Sequence, residues 1–198
     1  MKMILSVKTK ILKDEKIKSQ LIKSQKGKCG FCKVTIDENA YILNERSNNL
    51  LVCKICMNAR CLERLPNNGE GIIIMMPEIS QVEIISLVRA IHYLKDMSEG
   101  AEDEMDSLNL IEEEFIERAE IANHFYSSGI SDPVILIQLL LSLDEDDYKK
   151  RELALFGLRW VPNMNSYAEN ELILKEEYQK YNPKNWNKLI KSVISKNS

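Results

Sequence analysis

Apolar residues along this chain recur mostly at helical spacing, with a few short runs that suit strands. Residues 16–25 read as a helix with a narrow apolar strip of Ile17, Leu21 and Ile22, ending near Gly27. Residues 34–43 offer two short strands separated by Asp37-Glu38-Asn39, and residues 57–65 start a helix that Pro66 closes. Residues 71–76 form an apolar run of strand length, stopped by Pro77. Ser80 and Glu83 make a capping box for a helix with Ile84, Leu87, Val88, Ile91 and Leu94 on one face. Asn109 and Glu112 predict another helix start, with Phe115, Ala119, Ala122 and Tyr126 inward and Gly129 as its end. Asp132-Pro133 then caps a strongly apolar helix through Leu143, whose leucine and isoleucine density predicts the centre of a bundle. After a turn at residues 144–147, a helix spans 148–158 and residues 159–162 are extended ahead of Pro162. Residues 169–181 form a solvated helix, and Asn182-Pro183 opens a last one bearing Trp186, Ile190 and Val193. Residues 4–11 are too short and mixed to assign, and 100–107 are acidic and poor in apolar side chains, which predicts a linker or mobile loop.

Against this largely helical background stands one constellation with specific chemistry. Cys29-Gly30-Phe31-Cys32 is followed twenty residues later by Cys53-Lys54-Ile55-Cys56. Two such pairs supply the four soft ligands that tetrahedral zinc takes, with iron the other metal such a set accepts. In the first pair Gly30 is expected to adopt whatever backbone angle the turn asks. The order knuckle, hairpin, second pair at a helix start is the treble-clef arrangement, in which the helix N-terminus favours the thiolates. The fold class is therefore α+β, mainly helical, with an HNH-like treble-clef zinc domain, a few short strands and a larger helical region. One structural Zn²⁺ would stand in for the core that residues 29–65 lack. Lys28, Lys33 and Lys54 are placed in sequence to offset its charge, and Cys61 reads as a half-buried thiol outside the ligand set.

Charge is uneven. The net value is −3, yet residues 1–33 hold ten lysines against Asp14 and Glu15, near +8, so the remainder is about −11. Ten acids against Arg118 fall within residues 99–120. Such polarity suits docking on complementary surfaces. The longest apolar stretch, residues 134–143, is about half of what a bilayer requires. The first residues run into lysines without the apolar core of a signal peptide, which predicts a cytoplasmic protein whose clustered thiols bind metal instead of pairing.

Catalysis has little support in the residues. Four cysteines saturate zinc and leave no position for water. A nuclease on this scaffold needs a hairpin histidine, but the chain's two histidines, His92 and His124, lie inside predicted helices, and no histidine falls between Cys29 and Leu65. The run Asp144 to Asp147 lacks the glycine and alternation of a calcium loop. The basic N-terminus leaves nucleic-acid binding open as an alternative.

Three further segments narrow the reading. Asn49-Leu50 before the second cysteine pair, the run Met76-Pro77-Glu78-Ile79-Ser80-Gln81, and Leu158-Arg159-Trp160-Val161-Pro162 resemble the DotN (IcmJ) component of Dot/Icm type IVB secretion systems, over residues 27–162. The resemblance implies a non-enzymatic cytoplasmic subunit of the type IV coupling complex. It would bind the C-terminal tail of the DotL coupling ATPase at the inner membrane and support effector recruitment. It also implies zinc on four cysteines without nuclease histidines, with Met57 where a nuclease commonly carries one. The expected organisation is a basic segment and helix over 1–28, the zinc domain over 29–66, a helical domain over 67–162 with an acidic loop at 99–108, and C-terminal helices over 163–198. Aromatic anchors for a partner are expected among Phe115, Phe125, Tyr126, Trp160 and Trp186. Glu112, Glu113, Glu117 and Glu120 would steer a basic peptide.

Overall fold

In the computed structural model, residues 3, 5–36, 39–45, 48–65, 70–97 and 102–170 are described. The expected terminal helices, with Trp186, lie outside the described residues.

Two small antiparallel sheets organise the chain. The first has the order β1 (Lys10–Leu12), β2 (Tyr41–Glu45), β3 (Asn48–Val52). Its register sets Leu12 beside Ile42 and Ile42 beside Leu51, all on one face. That face packs with Ile17 and Leu21 of α1 (Glu15–Ser24) into a small satellite core. Because side chains alternate across a strand, Leu43 and Val52 point the other way into the main core. The hairpin is thus β2–β3, later in the chain than the expected pair within residues 34–43. Before β1, the unassigned start of the chain is buried at Met3, Leu5 and Val7. Leu62 N donates to Ser6 O at 2.9 Å, and the Tyr148 hydroxyl bonds to Val7 from the other side.

After β3 come α2 (Lys54–Arg60) and a 3₁₀ turn, Leu62–Arg64, where one longer helix was expected. The second sheet pairs β4 (Ile72–Met75) with β5 (Leu158–Val161), in the register Ile73 to Trp160. Helix α3 (Gln81–Met97) packs on β5 and α4 (Glu102–Phe125) on β4. The main core runs between these layers through Ile73, Ile84, Ile85, Phe115 and Trp160.

Further helical expectations are corrected. The acidic segment foreseen as a loop is helical from Glu102, since acidic residues suit a helix's first turns, where the macrodipole is positive. Asn109 consequently lies inside α4, and its Oδ1 accepts from Lys95 at 3.0 Å instead of capping. Helix α5 (Pro133–Ser142) is not the centre of a bundle. It buries only Pro133, Leu136 and Leu140, while Ile135, Leu139 and Leu141 are exposed. Asp132 caps it as expected, whereas residues 145–147, expected as part of a turn, open α6 (Glu145–Ala154), because Asp144 caps it by accepting from Asp146 and Asp147. Among the described residues, no helix is long and apolar enough to cross a membrane.

Candidate metal centre

The first cysteine pair sits on a short hairpin closed by Cys29 N donating to Val34 O at 2.9 Å and Lys33 N to Cys29 O at 3.1 Å. The left-handed backbone position in this turn belongs to Lys33, at φ 62°, and not to Gly30. Gly30 matters for a different reason: a Cβ there would stand 2.4 Å from Leu50 Cδ1, so the bare position lets the Leu50 side chain of β3 pack against the knuckle. The Gln25 side chain completes the junction. Its Nε2 donates to Lys28 O and Leu51 O, and its Oε1 accepts from Leu51 N, each at 2.9 Å.

The second pair stands where β3 runs into α2. Cys53 is the N-cap residue and Cys56 lies in the first turn, beside the positive end of the helix. Cys53 N donates to Cys29 Sγ at 3.4 Å. All four Sγ atoms lie within 4.8 Å of one another, with Cys29 and Cys56 buried and Cys32 and Cys53 half-buried. Cys32 Sγ and Cys53 Sγ are 3.7 Å apart, far beyond a disulfide's bond length of about 2.0 Å. The separation matches the roughly 3.8 Å edge of a tetrahedron with metal–sulfur bonds of about 2.3 Å. The cluster is therefore positioned to bind a metal ion.

Its electrostatics point the same way. Arg89 of α3, only 4% exposed, donates from Nη1 to Cys32 Sγ at 3.0 Å and from Nη2 to Cys53 Sγ at 3.2 Å. Burial lowers the guanidinium's pKa, but the charges of Cys53, Cys32 and Cys56 outweigh it and the net shift is upward. Cys32 is held well below the ordinary thiol range by hydrogen bonds from Cys29, Cys53 and Cys56, with the Arg89 charge adding to them. Cys56 is pushed well above it by its hydrogen bonds with the other three and by burial. Four sulfurs this close resist ionising together, and a dication removes that conflict. A buried guanidinium, in turn, requires anionic partners.

The lysines expected to offset the charge make the following contacts. Lys28 Nζ donates to Thr35 Oγ1 and Lys33 Nζ to Gly30 O, each at 2.9 Å, while Lys54 stands 5.7 Å from the centre of the Tyr167 ring. Cys61 is fully buried rather than half-buried, and it stays outside the cluster. Its Sγ lies 3.7 Å from Thr9 O, and burial pushes the thiol up to about 12. His92 lies half-buried on α3, beside Lys95 and Phe115 in a groove of about 440 Å³, and His124 is exposed near the end of α4. Neither joins the four cysteines.

Of the expected partner contacts, Phe115 and Trp160 are core residues at 4% and 0% exposure, whereas Phe125 and Tyr126 are exposed. The Tyr126 hydroxyl donates to Phe156 O at 2.7 Å, bringing the end of α4 to the exposed Phe156. Glu113, Glu117 and Glu120 lie exposed along α4, and Glu112 pairs with Lys95 at 2.7 Å. The segments 76–81 and 158–162, singled out in the sequence, meet in space. Gln81 Nε2 donates to Trp160 O at 2.7 Å, Trp160 N donates to Gln81 Oε1 at 2.8 Å, and Arg159 Nε donates to Ile79 O at 2.6 Å.

Arg89 was not foreseen. Its signal in the sequence was a cation falling among Ile84, Ile85, Val88 and Ile91 on an otherwise apolar helix face.

Fold and site together define an α+β chain carrying a cluster of four cysteines that could hold a metal ion, braced by a buried arginine. Compared with known proteins, the chain matches no protein-family model. No curated protein matches it either.

Proposed function

We propose that residues 29–66 form an HNH-like treble-clef domain holding one structural Zn²⁺, and that the chain is a non-enzymatic adaptor of a DotN-like kind. The observation that carries the metal is the fork of Arg89 across two converging sulfurs, a pairing that calls for thiolates and hence for an ion between them. Cys29, Cys32, Cys53 and Cys56 would fill all four positions of tetrahedral zinc, leaving none for water. Zinc here supplies cross-linking of knuckle to helix and no Lewis-acid chemistry. Elemental analysis of protein purified without added metal should find about one zinc per chain; a stable preparation free of metal would remove this reading.

The adaptor reading rests on the resemblance carried by Asn49-Leu50, residues 76–81 and residues 158–162. Support comes from the exposed Phe125, Tyr126 and Phe156 beside the acidic face of α4, a mixed surface suited to a partly basic, partly apolar tail. The proposed partner is the C-terminal tail of a DotL-like coupling ATPase, which would bring the chain to the cytoplasmic face of the inner membrane. Titration with that tail should give a 1:1 complex that weakens when Phe125 or Tyr126 is changed to Ala. Exposed lysines on and around α1, among them Lys13, Lys16, Lys23 and Lys26, favour the second reading, nucleic-acid binding. Failure to bind the tail together with steeply salt-dependent binding of nucleic acid would favour it instead.

A further inference from the structure

The cysteine ligands all come from residues 29–56, whereas the guanidinium that touches them comes from α3, in the helical part of the molecule. It spans one sulfur of each pair, Cys32 on the knuckle and Cys53 at the start of α2. We propose that Arg89 is a positioning residue that latches α3 onto the metal centre, so that metal occupancy is transmitted to the helical layer.

Three observations carry this. The two contacted sulfurs are 3.7 Å apart, a spacing that a shared metal would hold fixed and that a planar fork is shaped to bridge. Arg89 Nε has no hydrogen-bond partner among the described residues, and the guanidinium is anchored through Nη1 and Nη2 on the two sulfurs. Close to Arg89 on α3, Val88, Ile91 and His92 line the 440 Å³ groove together with Phe115 of α4 and Val161 of β5. Whatever moves α3 therefore reshapes that groove. With an ion present, the pairs are held at fixed spacing and the fork has its seat. When the ion leaves, the spacing is no longer imposed and α3 loses its tie to the knuckle. A lysine supplies charge at a single point and cannot span both sulfurs.

The inference takes the metal reading as given, and metal content of the wild-type chain, measured first, tests that reading by itself. The full chain is then compared with Arg89→Met and Arg89→Lys, loaded with Zn²⁺ or with Co²⁺ as a spectroscopic probe. Partners in the outer shell of a metal site are worth roughly 10–100-fold in affinity, so competition with a chromogenic chelator should show a loss of that size in Arg89→Met and a smaller one in Arg89→Lys. The sulfur-to-cobalt charge-transfer band should move to longer wavelength in Arg89→Met, because losing two N–H donors raises the energy of the sulfur electrons. Hydrogen exchange in the wild type should quicken over residues 81–97 when Zn²⁺ is chelated. In Arg89→Met it should be fast with or without metal. Unchanged affinity and an unmoved band in the variants would overturn the latch. So would wild-type α3 exchange that ignores the metal. Should Arg89→Met fail to fold, Arg89→Lys and the wild-type exchange measurement decide the matter alone.

Discussion

Single positions in this protein are constrained by what comes close to them. Gly71 has φ 92°, and a Cβ there would stand 2.1 Å from Val161 O, a backbone atom that cannot step aside without parting β4 from β5. Gly71→Ala should therefore cost more than the roughly 1–3 kcal/mol of a strained backbone alone. Gly30→Ala meets only the side chain of Leu50, which can swing, so its cost should stay near the roughly 1–3 kcal/mol of ordinary overpacking. Chemical denaturation of both variants checks that order. The cysteines divide just as sharply. Cys53→Ser should release the metal, whereas Cys61→Ala should keep a full complement, because Cys61 lies outside the cluster. Metal analysis of the two purified proteins decides this. The four-cysteine set was legible because two pairs at close spacing bring their own geometry. Arg89 was not, because its partners are remote in the chain and only packing brings α3 over them.

At the level of elements, glutamine amides serve both sheets in the same way. Gln25 bonds the N–H and C=O of Leu51 on β3, and Gln81 bonds those of Trp160 on β5. Each amide acts as one residue of an extra strand, satisfying backbone groups that an unpaired edge would leave open. Gln81→Leu should leave two buried backbone groups without partners, at roughly 1–3 kcal/mol each, measurable as a lowered denaturation midpoint. The start of α3 carries a pH signature. Ser80 N donates to Glu83 Oε2 at 2.7 Å, and hydrogen bonds from the Ser80 side chain and backbone hold the Glu83 carboxyl below its ordinary range. A folded-state pKa below the unfolded one contributes stability above the unfolded value and loses it as pH falls through the folded value. The stability gap between wild type and Glu83→Gln should thus be widest at neutral pH and close on acidification. Denaturation curves at neutral and strongly acidic pH check the sign.

Across the whole molecule, the metal part and the helical part share one main core, joined through α2, α3 and the buried N-terminal segment. Chelation should therefore loosen residues 29–60 and α3 while α4 on β4 keeps its protection, which exchange mapped along the chain would show. Uniform loss everywhere would mean that the ion supports the entire core.

The sequence by itself determined what is local: the two cysteine pairs, the caps at Ser80 and Asp132, and the extended runs that became β4 and β5. Each depends on residues a few positions apart, whose spacing sets the geometry directly. Tertiary structure decided the rest. Strand β1 exists because β2 offers it a partner, α4 extends through an acidic stretch that composition reads as loop, and α5 leaves Leu139 exposed despite its apolar sequence. Periodicity states which face of a helix seeks cover and not what covers it, so the arginine that braces the four cysteines became visible only once α3 was packed above the sulfurs.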